Sequence, residues 1–125
     1  RPEDAEKGGS VVGPHRTDLM VTHLGKDIPA EHCSTGEQKM LLISIVLAHA
    51  QAQSELFGQT PLILLDEVMA HLDSVHRSAL AEALCSLGGQ TWMTGISNEL
   101  FSDFGARAQV LSISDGTVRN LSVRN

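Results

Sequence analysis

The sequence predicts an α/β fold built on buried parallel strands with flanking helices, and three observations carry that expectation. A helix-forming stretch opens at Ser34 and is apolar around nearly its whole circumference between residues 40 and 48. Pro61-Leu62-Ile63-Leu64-Leu65 then runs apolar, without alternation, into Asp66-Glu67, the pattern of a parallel strand covered on both faces. A second helical stretch and a second short run, Thr91-Trp92-Met93-Thr94, follow. Helix alternating with strand is the arrangement that lays helices on a parallel sheet.

The elements follow in order. Residues 1–10 are polar and read as a frayed end. Val11-Val12 and Leu19-Met20-Val21 flank a Gly13-Pro14 break and read as two short strands about a turn, with residues 25–33 as loop. Ser34 with Glu37 three residues on is the capping-box pattern. It opens a helix that fades at Leu56-Phe57-Gly58 and is expected to be buried on most sides. Asp73 or Ser74 caps a second helix to about Leu87, with Leu80, Ala83, Leu84 and Leu87 inward and Gly88-Gly89 as its stop. Residues 98–104 read as a short helical turn. Residues 109–114 and 117–123 read as two strands about a tight Asp115-Gly116 turn, a terminal β-hairpin. The organisation expected is residues 1–33 as strands and loop, then residues 34–125 as the α/β layer, with no internal repeat.

At 125 residues the chain is one domain or a piece of one. Its 42% hydrophobic and 19% charged residues lie near globular averages and exclude a disordered tail. The longest apolar run, residues 40–48, falls short of the about 20 residues a bilayer requires, so no membrane span is expected. Arg1-Pro2-Glu3-Asp4 is not a signal peptide, and the absence of an initiator Met suggests a processed chain or a fragment. Cys33 and Cys85 form no CxxC pair and read as reduced, buried thiols of a cytoplasmic protein. The net charge of −6, 3% aromatics and no Tyr argue against a basic nucleic-acid surface or stacking on exposed rings. Six histidines show neither HxxxH nor HExxH spacing, so no structural zinc is expected.

Two strings can carry chemistry. Asp66 and Glu67 close a buried strand, and in open α/β sheets sites gather at the carboxyl ends of strands. If the strand continued, the two carboxylates would point opposite ways: one can hold Mg²⁺, directly or through water, and the other can orient a water attacking a phosphate. The same string also fits a strand that simply ends in charge at the solvent. Ser34-Thr35-Gly36-Glu37-Gln38-Lys39 offers helix N-terminal amides and a hydroxyl to an anion, and equally fits a capping box with no ligand. A third string is missing. The only Gly-Lys pair, Gly25-Lys26, has Met20 where a P-loop requires Gly, and Asp27 after the Lys. Ser34 has no G-x-S-x-G surround and does not read as an acyl-transfer nucleophile.

Together these strings resemble the C-terminal half of an ABC ATPase head, a P-loop NTPase fold. Cys33-Ser34-Thr35-Gly36-Glu37 is similar to its signature motif, residues 62–67 to its Walker B strand, and Ala70-His71-Leu72-Asp73 to its D-loop. With Gly13-Pro14-His15-Arg16-Thr17-Asp18-Leu19 and Gln90-Thr91-Trp92-Met93-Thr94-Gly95 in the same order, the resemblance narrows to the RecF family of SMC-like repair ATPases. It implies ATP and Mg²⁺ as cofactors, with ATP-dependent homodimers acting on single-stranded or gapped duplex DNA beside RecR/RecO-type mediators. Recombinase loading in recombinational repair, replication and the SOS response follows from the same resemblance. Ser34, Thr35 and Gly36 would reach the γ-phosphate held by a partner head. Asp66 would place Mg²⁺, Glu67 would polarise water as the catalytic residue, and Asp73 would communicate across the dimer. The family's P-loop and Q-loop strings are missing, and no switch histidine stands near Thr94, which is the substitute expected to sense nucleotide. Arg16, Lys26 and Lys39 are candidates for DNA or interface contacts, or ordinary solvated cations. Two other readings are a non-catalytic interaction module with this fold and an ABC transporter ATPase subunit. An intact Ser34 and Glu67 oppose the first, and the absence of Pro-Thr-Ser after Asp66-Glu67 opposes the second.

Overall fold

The computed structural model describes residues 18–121. The strand expected at Val11-Val12, Arg16 with the string around it, and the end of the last strand at Val123 lie outside the described residues. The chain divides into two compact units, Arg1–Gln38 and Lys39–Asn125, and the division falls inside a helix that begins just after Ser34.

In the first unit, β1 (Thr22–His23) pairs antiparallel with β2 (Ile28–Pro29), His23 opposite Ile28. The turn between them closes with Asp27 at φ 53°, its N–H donated to the His23 carbonyl at 2.7 Å. The hairpin therefore lies later than expected: residues 19–21 form no strand, and residues 25–33 hold β2 and a 3-10 turn, Ala30–His32. Pro29 brings no N–H to the ladder, which suits an edge strand only two residues long. The Gln38 amide ties this turn to the helix that follows, donating to the Ala30 carbonyl at 2.9 Å. Cys33 is buried, with no disulfide.

In the second unit, α1 (Thr35–Phe57) leads to β3 (Ile63–Leu65). The chain then passes through a 3-10 turn, Met69–His71, and α2 (Ser74–Leu87) before returning as β4 (Thr91–Met93). β3 and β4 are parallel, with Ile63 opposite Thr91 and Leu65 opposite Met93. A strand–helix–strand crossover of this kind is what parallel pairing requires. The core gathers on one side of the pair: Ile63 and Leu65 from β3, Ile43 and Ala50 from α1, Leu80 and Leu84 from α2, and Met69 fully enclosed. Short 3-10 segments follow over Asn98–Arg107, broken where Gly105 takes φ 55°. Finally β5 (Leu111–Ser114) pairs antiparallel with β6 (Thr117–Asn120). Asp115 and Gly116 both take positive φ, 48° and 73°, as a two-residue type I′ turn demands.

The α/β class is therefore observed, with corrections to its burial. β3 is covered on one face only: Leu64 is 71% exposed, and Trp92 beside it on β4 is 55% exposed. α1 buries a single stripe two turns long at Ile43 and Ala50, while Leu42, Ile45 and Val46 face outward. The physical reason is the same for both, since a two-stranded sheet offers one face and little width to its helices. In α2 the inward set is Leu80, Ala81 and Leu84, with Ala83 exposed. Sequence reading counted only residues 40–48 of α1, a run interrupted by Ser44; the whole 23-residue helix is long and apolar enough, by length and composition alone, to cross a membrane. Two of its residues, Ile43 and Ala50, are buried in the core described above.

Exposed apolar strand faces and unpaired edges recruit further chain. The 125-residue chain, expressed alone, is expected to self-associate in static light scattering. A sharp monomer peak with a cooperative melt would contradict this.

Candidate functional site

At the carboxyl end of the parallel pair, β3 stops at Leu65 and the next two residues leave the strand. Asp66 is exposed and Glu67 is half-buried, with its backbone at φ 54°. For a residue with a Cβ the left-handed region costs roughly 1–2 kcal/mol, so something must hold it. That support comes from Thr94, the first residue after β4. Its N–H donates to the Leu65 carbonyl at 3.1 Å, continuing the β3–β4 ladder by one step. Its hydroxyl donates to Asp66 Oδ1 at 2.5 Å and accepts the Glu67 N–H at 2.9 Å. One side chain thus joins both acidic residues. The Glu67 carboxylate itself has no hydrogen-bond or ion-pair partner among the described residues. Gly95 follows Thr94 where a Cβ would come within 2.7 Å of the Phe101 ring, so the position accepts no larger residue without displacing that ring.

From Glu67 the chain is pinned by the enclosed Met69 and then by Asp73. Asp73 caps α2: its Oδ1 accepts the His76 backbone N–H and faces His76 Nδ1, each at 2.8 Å. These contacts from His76 hold its carboxyl below the usual range. Arg77 donates to the Leu72 carbonyl at 2.9 Å and closes the same corner.

The first unit holds the other candidate string. Ser34 and Glu37 form the capping box in full, each backbone N–H donating to the other's side-chain oxygen at 3.2 Å. Because Ser34 Oγ accepts there, its own proton stays free to donate. Ser34, Thr35 and Gly36 are exposed, and a Cβ on Gly36 would meet nothing within 4 Å. Nothing in the described chain therefore requires glycine at that position. Glu37 is held from the other side by Lys26 Nζ at 2.7 Å, with His23 Nε2 at 3.8 Å. The Lys26 hydrogen bond, then those from Ser34, push the Glu37 carboxyl down to about 2, and the same pairing raises Lys26.

The structure thus brings together Asp66, Glu67 and Thr94 in one unit, and Ser34, Thr35 and Gly36 on the first turn of α1 in the other. Of the expected cations, Lys26 is spent on Glu37, Lys39 is half-buried in the first turns of α1, and Arg16 lies outside the described residues. Sequence reasoning missed the Lys26–Glu37 pair and the His23 beside it, because only the shifted hairpin brings residue 26 to the helix start. It also missed the left-handed Glu67, for which the bare Asp-Glu string carries no signal.

Glu37 makes a pH prediction. A depressed carboxyl stabilises the fold above its ordinary value near 4.5, and that stabilisation is lost as pH falls toward about 2. With Lys26→Met the Glu37 carboxyl should titrate higher than with Lys26 present, still below its ordinary value because the Ser34 hydrogen bonds remain, in a carbon-detected NMR titration, and acid fraying of the α1 start should begin at higher pH. An unmoved Glu37 midpoint would contradict the pairing.

The chain is 49% identical over 118 residues to the DNA replication and repair protein RecF of Rhizobium meliloti, covering 94% of this chain and 32% of that protein. RecF of Allorhizobium ampelinum matches at 49% over 116 residues and RecF of Agrobacterium fabrum at 49% over 118, each covered over 31% of its length. No family model and no solved structure matches the chain. The chain spans about a third of the length of the curated relatives it matches, and over nearly all of its own length it is similar to the C-terminal part of RecF.

Proposed function

We propose that this segment serves an ATP-driven protein of DNA replication and recombinational repair, contributing the signature turn and the hydrolytic carboxylates of an ABC-type head. The observation that carries this reading is the Thr94-joined pair Asp66 and Glu67 at the carboxyl end of two parallel strands, the position where α/β folds place their chemistry. The relatives' name, DNA replication and repair protein, supports the process.

The residues fit the groups they would meet. Asp66 keeps one carboxylate oxygen clear of Thr94 and would hold Mg²⁺, directly or through a water. Bound ATP with Mg²⁺ supplies the phosphoryl group and neutralises charge as it develops. Glu67, with no partner on its carboxylate among the described residues, would accept a proton from a water and orient it. Ser34 donates its free hydroxyl proton, and Thr35 and Gly36 offer helix-end amides to the γ-phosphate held by a second head. Asp73, fixed on the same loop as Glu67, would carry the state of one head to the other. No P-loop string occurs in the chain, so the triphosphate is gripped elsewhere and this segment alone turns over no ATP. In the whole protein the dimer would act in the cytoplasm on single-stranded or gapped DNA with RecR/RecO-type mediators, loading recombinase in repair and the SOS response. Lys39 and Arg16 are its candidate cations for DNA or interface contact.

Light scattering on a full-length protein carrying Glu67→Gln tests this reading, because the change keeps size while removing the base. An ATP–Mg²⁺-dependent dimer is expected, and Ser34→Arg should abolish it. A protein that binds ATP but stays monomeric would contradict the trans role of Ser34.

A further inference from the structure

We infer that Thr94 is a positioning residue: its hydroxyl sets the backbone of Glu67 and one oxygen of Asp66, rather than contacting nucleotide. The inference rests on the proposed hydrolytic reading of Asp66 and Glu67 and adds the device that aims them. Three contacts converge on this one residue: its N–H on the Leu65 carbonyl, its Oγ1 proton on Asp66 Oδ1, and the Glu67 N–H on Oγ1. A hydroxyl has a single proton, and here that proton goes to Asp66. What remains is acceptor capacity, which a phosphate oxygen cannot use.

The contact to Glu67 is made where the chain most needs one, at a non-glycine residue with φ 54°. The hydroxyl bridges residues 27 and 28 positions away in sequence, so it locks the β4 end onto the corner that follows β3. Glu67 leaves the corner with its carboxylate unpartnered among the described residues, aimed by its backbone. Thr94 is exposed, and replacing it removes no core packing.

The test is steady-state ATP hydrolysis by the full-length protein carrying Thr94→Val, Thr94→Ser or Glu67→Gln, beside amide hydrogen exchange at Glu67. Thr94→Val keeps the side-chain shape and removes the hydroxyl. It should lower kcat by about tenfold or more with KM for ATP within about twofold, and speed exchange of the Glu67 amide. Thr94→Ser, which keeps the hydroxyl, should recover most of both. A raised KM with kcat kept in Thr94→Val would show the hydroxyl on nucleotide and overturn the inference. So would unchanged turnover and unchanged exchange in Thr94→Val while Glu67→Gln is inactive, which leaves the hydrolytic reading standing. Wild-type turnover in Glu67→Gln would overturn that underlying reading and this inference with it.

Discussion

The parallel register that sets Leu65 opposite Met93 governs both the interior and the surface chemistry of the second unit. On its inner face the pair presents Ile63 and Leu65 to Met69, α1 and α2, which makes the core. At its carboxyl end the same register leaves Thr94 one ladder step beyond Leu65, beside the two acidic residues that follow. Slipping this pairing by one residue would turn Ile63 and Leu65 away from the core and carry Thr94 off the Glu67 amide together. Fold and candidate site are thus fixed by one set of backbone contacts.

The start of α1 solves a separate problem by local means. Helix ends leave amide groups without partners. Ser34 and Glu37 satisfy one for each other, and Lys26 then neutralises the carboxylate that the cap requires. Exposed hydroxyl and amide donors remain at Ser34, Thr35 and Gly36, with no acidic side chain left unpaired on that first turn. A positive helix end with its one carboxylate masked suits an anion better than the bare capping box does.

What could be read from the sequence divides along the range of the interactions. The capping box at Ser34, the cap at Asp73 and the Asp115-Gly116 hairpin depend on residues within a few positions, and each forms where the sequence places it. The parallel character of residues 63–65 was legible in an unbroken apolar run. Its burial was not, because Leu64 and Trp92 take their exposure from whatever lies across the sheet, and among the described residues nothing does. The first hairpin was misplaced because a ladder only two residues long leaves no periodicity to find. The candidate carboxylates could be named from their string. Their support by Thr94, 27 residues from Glu67 in sequence, and the left-handed turn it holds could only be seen in three dimensions.

On the function proposed above, Ser34 of one chain and Glu67 of another complete a single hydrolytic site. Mixing two full-length variants, Ser34→Ala and Glu67→Gln, before ATP is added tests it, because the smaller change removes the hydroxyl without placing a bulky cation in the dimer face. Each variant alone should hydrolyse no ATP. In a mixed dimer one site collects both defects while the other is intact, so mixing should restore hydrolysis. A mixture as inactive as its components would contradict a shared site and place Ser34 and Glu67 in the service of the same chain.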